Sequence, residues 1–291
     1  MSINKIAPNY DNITYEHILN CKSISDDVID KEFKKLQKLK CDINTNSFCG
    51  NKIIYNYVLS NMLEVRRDVK NYQTLKEIFN NPEEKKKLIN QCIKLNRRKK
   101  LTYVEPVDIY EGFRMMKGSV NTFKACSVKF LIKEYNASKM LDPTAGWGGR
   151  LLGARASNIE YTGIDTNIDL KSAYDKMIEK FGGKMIYENC LDVDFEKIDY
   201  DFVLTSPPYF NLEKYENMTL FESNEKYYTQ FLIPLIIKCK KNIKNDGKVC
   251  INISDYMYKD YLKYGGKECI EILQLKQQLG GKKNKEFIYI F

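Results

Sequence analysis

The sequence predicts an α/β protein. A doubly wound, mostly parallel sheet is expected over residues 113–291, preceded by a mainly helical domain over residues 1–112. Three observations predict it. From Lys139 onward, short apolar runs alternate with helical patterns, which requires crossover connections and parallel strands. Before Lys139, apolar residues recur at helical spacing instead. At 291 residues and 43% apolar content, the chain suits one large domain or one domain plus a smaller one.

The helical part comes first. Ser25-Asp26-Asp27 reads as a cap with an acidic first turn, and Val28, Ile29, Phe33, Leu36 and Leu39 follow at helical spacing. Ile53 to Val69 reads as a second helix and Thr74 to Phe79 as a short third. Pro82 opens a fourth, through about Leu95. It leads into Arg97-Arg98-Lys99-Lys100, a basic cluster that suits both a helix C-terminus and a phosphate contact. Pro106 and Gly112 read as a boundary. A helix over Ala125 to Tyr135 follows, for which Ser119 or Thr122 is the expected cap.

The sheet begins at Lys139-Met140-Leu141-Asp142, a strand ending in a carboxylate. Pro143-Thr144-Ala145-Gly146-Trp147-Gly148-Gly149 then turns into a helix. Glycine in such a turn permits positive φ and lets the backbone approach a ligand. Glu160 to Asp165 is a second strand ending in an acid. A carboxylate at this spacing can accept both hydroxyls of a ribose. Ala173 to Phe181 reads as a helix, Met185 to Tyr187 as strand three and Tyr200 to Leu204 as strand four. Strand four stops at Thr205-Ser206-Pro207-Pro208-Tyr209, because two prolines lack ladder donors and fix φ. The corner carries a hydroxyl, carbonyls with few neighbouring N–H groups, and an aromatic ring. Such a set can accept from an –NH2 group and stack on a planar base. Glu225 to Ile243 is a helix stopped at Asn245-Asp246-Gly247, and Lys248 to Ile253 is strand five. Tyr256 to Leu275 holds a helix or strand, and Glu286 to Phe291 closes the sheet.

Composition narrows the function. The net charge is +9, and its distribution is uneven. Residues 1–100 hold 20 Lys/Arg against 12 Asp/Glu, and the remainder is nearly balanced, which points to a polyanion contact in the first third. Nine cysteines without a Cys-x-x-Cys pair, and a single histidine, His17, argue against a metal site. An odd thiol count without a secretion signal suits a reducing compartment, so a cytoplasmic location is expected, or wherever a prokaryotic or viral genome is accessible. No apolar run is long enough for a membrane span.

Ser206-Pro207-Pro208-Tyr209 resembles motif IV of the S-adenosylmethionine-dependent methyltransferases that modify exocyclic amino groups of bases. Asp142-Pro143-Thr144-Ala145-Gly146 resembles their motif I, and Asp165-Thr166 holds the place of motif II. The helix after Gly118, with Thr122 and Phe123 before it, matches motif X, which meets the methionine part of the cofactor. Asn189-Cys190-Leu191-Asp192 occupies the place of motif III, where a polar side chain meets adenine; the choice among Asn189, Cys190 and Asp192 stays open. The motifs run X, I, II, III, IV, a gamma-like order.

The resemblance implies a class I, Rossmann-like methyltransferase fold of seven strands, the last antiparallel. It implies S-adenosylmethionine as cofactor, with Thr122, Phe123, Asp142 to Gly146, Asp165, Thr166, Cys190, Asp192 and Ser206 as its contacts. Ser206, Pro207, Pro208 and Tyr209 would hold the target amine of a flipped-out base. The form with Thr before Ser is most typical of DNA cytosine-N4 enzymes. Adenine-N6 methylation stays open, as do RNA or protein-glutamine methylation and a catalytically silent nucleic-acid-binding subunit. DNA is the expected partner, with a partner nuclease of a restriction-modification pair, or a homodimer, left open.

Overall fold

The computed structural model describes residues 12–67, 72–98, 104–118, 121–210, 213–214, 220–244, 246–275 and 286–291. In chain order its helical part comprises α1 (Tyr15–Leu19), α2 (Asp26–Lys38), α3 (Asn51–Glu64), the two-residue strand β1 (Arg66–Arg67), α4 (Leu75–Phe79), α5 (Pro82–Arg98), α6 (Pro106–Lys117) and α7 (Ala125–Glu134). The alternating part follows: β2 (Lys139–Asp142), α8 (Gly149–Ala156), β3 (Glu160–Ile164), α9 (Lys171–Phe181), β4 (Lys184–Ile186) and β5 (Phe202–Thr205). It ends with β6 (Glu213–Lys214), α10 (Asn224–Tyr227), a π turn over Tyr228–Leu232, α11 (Ile233–Asn242), β7 (Lys248–Ser254), α12 (Asp255–Lys263), β8 (Glu271–Leu273) and β9 (Glu286–Ile290).

Seven strands form one sheet in the order β4-β3-β2-β5-β7-β9-β8. The β4–β3, β3–β2, β2–β5 and β5–β7 pairs are parallel, and β9 runs antiparallel between β7 and β8. This is the mostly parallel, doubly wound sheet that the sequence predicts, with the antiparallel closing strand. After β2 the chain winds outward through β3 and β4, then returns to β5 on the opposite side of β2. The carboxyl ends of β2, β3 and β5 therefore open onto one crevice at the switch point, where ligands bind in open α/β sheets.

Two large cores cover the sheet. One holds Met140, Phe202 and Leu204 with α7, α8 and α9, and it also takes Ile29, Leu36, Ile53, Ile54 and Val58 from α2 and α3. The other holds Leu141, Val203, Val249 and Ile251 against Tyr227, Leu232, Leu235 and Ile236. Adjacent strand residues alternate between the two, as the pleat requires. A third cluster joins Ile18, Leu63, Leu75, Leu88, Ile109 and Phe113 among α1, α3, α4, α5 and α6. So α3 has one face on the sheet's core and another on the helical cluster.

Several local expectations are corrected. The helix expected over Ile53 to Val69 starts at Asn51 and ends at Glu64, because Arg66–Arg67 leave it to pair antiparallel with Glu213–Lys214. Ser25 stands at the N-cap of α2, but its hydroxyl makes no cap bond. Lys124, not Ser119 or Thr122, is the residue before α7; Ser119 lies outside the described residues. Pro106 opens α6 and Gly112 sits inside it, where a Cβ would lie 2.3 Å from Cys92 Sγ. Glycine there serves helix packing, not a chain break. Among the described residues no helix is long and apolar enough to cross a membrane.

Candidate functional site

Three strand ends build the site. β2 ends at Asp142, and the turn from Pro143 to Gly148 leads into α8. Gly146 has φ +62° and Gly148 φ +83°, conformations that favour glycine. Gly149 has no room for a side chain, since a Cβ would lie 2.1 Å from the Phe123 carbonyl oxygen. The turn is thus pressed against the segment before α7.

β3 ends beside it. Ala145 N–H donates to the Ile164 carbonyl at 2.9 Å. The Asp165 carboxylate accepts from Gly146 N–H at 2.7 Å and from Asn167 N–H at 2.9 Å. Tyr174 OH donates to the Gly146 carbonyl at 3.0 Å, holding the turn from behind. Burial raises the pKa of Asp165, and the two backbone N–H bonds oppose that shift. Part of the residue still meets the cleft.

β5 supplies the opposite wall. Ser206 Oγ donates to the Asn252 carbonyl at 3.3 Å. With its proton so placed, the hydroxyl presents lone pairs to the cleft. The Pro208 carbonyl is taken by Tyr227 OH at 2.7 Å. Tyr227 is wholly buried, and Phe210, Phe221 and Phe231 pack around its ring at centroid distances of 5.5–6.0 Å. The double-proline corner therefore has a rigid aromatic support.

Beneath both walls lies a buried polar cluster. Asp142 pairs with Arg150 Nε at 2.8 Å and accepts from Tyr161 OH at 2.9 Å and Thr205 Oγ1 at 3.1 Å. Burial opposes the Arg150 charge, but Asp142 outweighs it and holds the pKa above the ordinary arginine value.

These elements enclose one cleft of about 510 Å³, within the range of small-molecule and cofactor sites. Thr122, Phe123, Pro143, Thr144, Ala145, Gly146, Asp165, Thr166 and Cys190 line it together with Ser206, Pro207, Pro208 and Tyr209. Two expected residues do not. Asp142 is fully buried under the turn, and Asp192 lines a separate hollow with Phe195 and Lys238. Cys190 is a buried thiol whose pKa burial pushes up to about 12, with Lys238 opposing. Arg97 and Arg98 fall within the backbone of α5, but their side chains, and Lys99 and Lys100 altogether, lie outside the described residues.

The cleft also has residues that the sequence reading did not single out: Asn252, Gln230, Phe221 and Phe231. Asn252 carried a signal, as a polar residue within the apolar run of β7; its amide donates to the Phe287 carbonyl at 3.2 Å. Gln230 and Phe231 reach the cleft from the π turn, a distortion that periodicity does not reveal.

Residues 200–290 match the family model described as N6_N4_Mtase, DNA methylase. The match starts on the residues that lead into β5 and spans the Ser206–Tyr209 corner. Among solved structures the chain is similar to an rRNA methylase from Streptococcus thermophilus, at 12% identity and TM-score 0.41, covering 59% of this chain and 97% of that one. It is also similar to an S-adenosylmethionine-dependent methyltransferase from Clostridium acetobutylicum, at 10% identity and TM-score 0.43, covering 62% and 95%. TehB from Haemophilus influenzae matches at 15% identity and TM-score 0.39, covering 62% and 65%. No curated protein sequence matches the chain.

Proposed function

We propose that this protein transfers a methyl group from S-adenosylmethionine to an exocyclic amino group in DNA, with cytosine N4 as the first choice of target. The observation that carries the reading is that one cleft is shared by two motif-bearing walls. Its one wall is the Gly146 turn with Asp165; its other is the Ser206–Tyr209 corner. The DNA methylase match over residues 200–290 supports the amino-methylating class.

The residues fit the cofactor. Positive φ at Gly146 gives a backbone cradle, and the Asp165 carboxylate can accept from ribose hydroxyls. Thr122, Phe123 and Cys190 line the same cleft. When bound, S-adenosylmethionine would supply an electrophilic methyl group. The chain's own residues act on the acceptor. Ser206 Oγ and the Pro207 carbonyl accept from the –NH2 group, which draws its nitrogen toward tetrahedral geometry and exposes the lone pair. Tyr209 stacks on the base, which must leave its duplex to reach the cleft. Positioning of this kind is worth about 7–11 kcal/mol of barrier. No covalent enzyme intermediate is needed, so the protonated thiol of Cys190 has no part in the chemistry. The basic segment 1–112, with Arg97 to Lys100, is assigned the phosphate backbone.

The test is mass spectrometry of nucleosides from DNA incubated with the protein and methyl-labelled cofactor. N4-methylcytosine is expected. N6-methyladenine would move the target to the runner-up. Label in RNA alone would overturn the DNA assignment, and no cofactor binding would identify a silent subunit.

A further inference from the structure

The β2–β5 ladder pairs Met140 with Phe202 and Leu141 with Val203, and ends there. Beyond it the two backbones part to form the cleft, and among the described residues no main-chain bond joins the turn after β2 to the corner after β5. The Thr205 side chain spans the gap. Thr205, fully buried and immediately before Ser206, donates its proton to Asp142 Oδ1 at 3.1 Å. Thr205 Oγ1 itself accepts from Thr144 N–H at 3.1 Å. It also lies 2.5 Å from Thr144 Oγ1. Since a carboxylate only accepts, Thr205 is the donor to Asp142, and Thr144 Oγ1 must donate to Thr205. One donor and two lone pairs are then all used. Arg150, paired with the same Asp142, donates through Nη2 to the Thr144 carbonyl. The N–H, the hydroxyl and the carbonyl of Thr144 are therefore all tied to one buried cluster.

We propose that Thr205 is a positioning residue that sets the distance and angle between the Gly146 turn and the Ser206 corner. It touches neither substrate. Its hydroxyl acts through Thr144 on one side and through the chain to Ser206 on the other. The inference rests on the methyl-transfer reading above, in which those two walls carry donor and acceptor.

Thr205→Val keeps the shape and removes the hydroxyl. Small misplacement of reacting groups costs on the order of 100-fold in rate, so the loss should fall on kcat, with KM for DNA and cofactor Kd nearly unchanged. Thr205→Ser restores the hydroxyl and should restore kcat. Tyr161→Phe is the control, because it removes a bond to the same Asp142 but not the tie to Thr144. It should lower the melting temperature comparably while keeping kcat. Thr205→Val retaining wild-type kcat would overturn the proposal, and so would a parallel loss of kcat in Thr205→Val and Tyr161→Phe.

A second readout needs no substrate. Trp147, the single tryptophan, lines the cleft within the turn. Iodide quenching of its fluorescence should rise in Thr205→Val and not in Tyr161→Phe; equal quenching in the two contradicts the clamp. Should Thr205→Val fail to fold, Thr144→Val loosens the same tie without stripping Asp142 of a partner, and the same quenching and kcat criteria apply. A wild type that binds cofactor but methylates no DNA would sink the substrate reading alone, and the quenching would still test the clamp.

Discussion

Asp165 illustrates how one residue's surroundings set a measurable property. Burial raises its pKa, while the N–H groups of Asn167 and Gly146 pull the other way and lose. A carboxylate so raised takes up its proton at a higher pH than a free aspartate. Only the ionised form accepts from two hydroxyls, so cofactor affinity should weaken as pH falls through that raised value. Stability of the unliganded protein should move oppositely. A raised folded-state pKa contributes stability below the unfolded pKa and loses it as pH rises through the folded one. In Asp165→Asn both slopes should vanish. Fluorescence titration of Trp147 with S-adenosylhomocysteine against pH, beside thermal melts, measures the two. Slopes of the same sign would contradict the assignment.

Among the elements, the turn between β2 and α8 depends on space as much as on sequence. Gly149 must lack a side chain because the Phe123 carbonyl already fills the position. In Gly149→Ala either the turn or the segment before α7 has to move. Overpacking of this kind costs about 1–3 kcal/mol. Because Phe123 and Gly149 both line the cleft, cofactor affinity should fall together with the melting temperature. A melting loss with unchanged Kd would show that the Gly149–Phe123 contact does not shape the cofactor's part of the cleft.

Much of this element-level arrangement was legible. The Asp142-to-Gly149 stretch announced a strand, a turn and a helix, and Pro207-Pro208 announced the end of β5. Their separation of some sixty residues is spanned by the crossover rule alone. Other features were out of reach. Arg66–Arg67 carry no strand signal, since their pairing depends on Glu213–Lys214 far along the chain. Asp142 read as a cleft residue because its type and place suit one. The buried Arg150, Tyr161 and Thr205 that claim it belong to three different elements. The π turn that delivers Gln230 is a departure from periodicity, so a periodic reading passes over it.

At the scale of the molecule, charge and chemistry are divided. The excess of lysine and arginine lies in the first hundred residues, whereas the cleft is built mainly from residues after 120. α2 and α3 bury Ile29, Leu36, Ile53 and Ile54 in the sheet's own core, so the basic segment is fastened to the sheet. If that segment grips DNA, Arg97→Glu with Arg98→Glu should weaken binding for all sequences and lower the magnitude of the salt slope by roughly 2, about one per phosphate contact. Filter binding across a salt series reads both, and an unchanged slope would remove Arg97 and Arg98 from the interface.

The fold brings two strand ends, β2 and β5, to one crevice, and on the proposed function a methyl donor and an amine meet there. Ser206→Ala tests that meeting most directly, with cofactor Kd and single-turnover methyl transfer to DNA measured on the same preparation. The prediction is a Kd within a few-fold of wild type and a transfer rate lower by roughly 10²–10³, the usual cost of deleting one preorganised hydrogen-bonding group. Transfer at the wild-type rate, with Ser206 gone and the cofactor bound, would contradict the account.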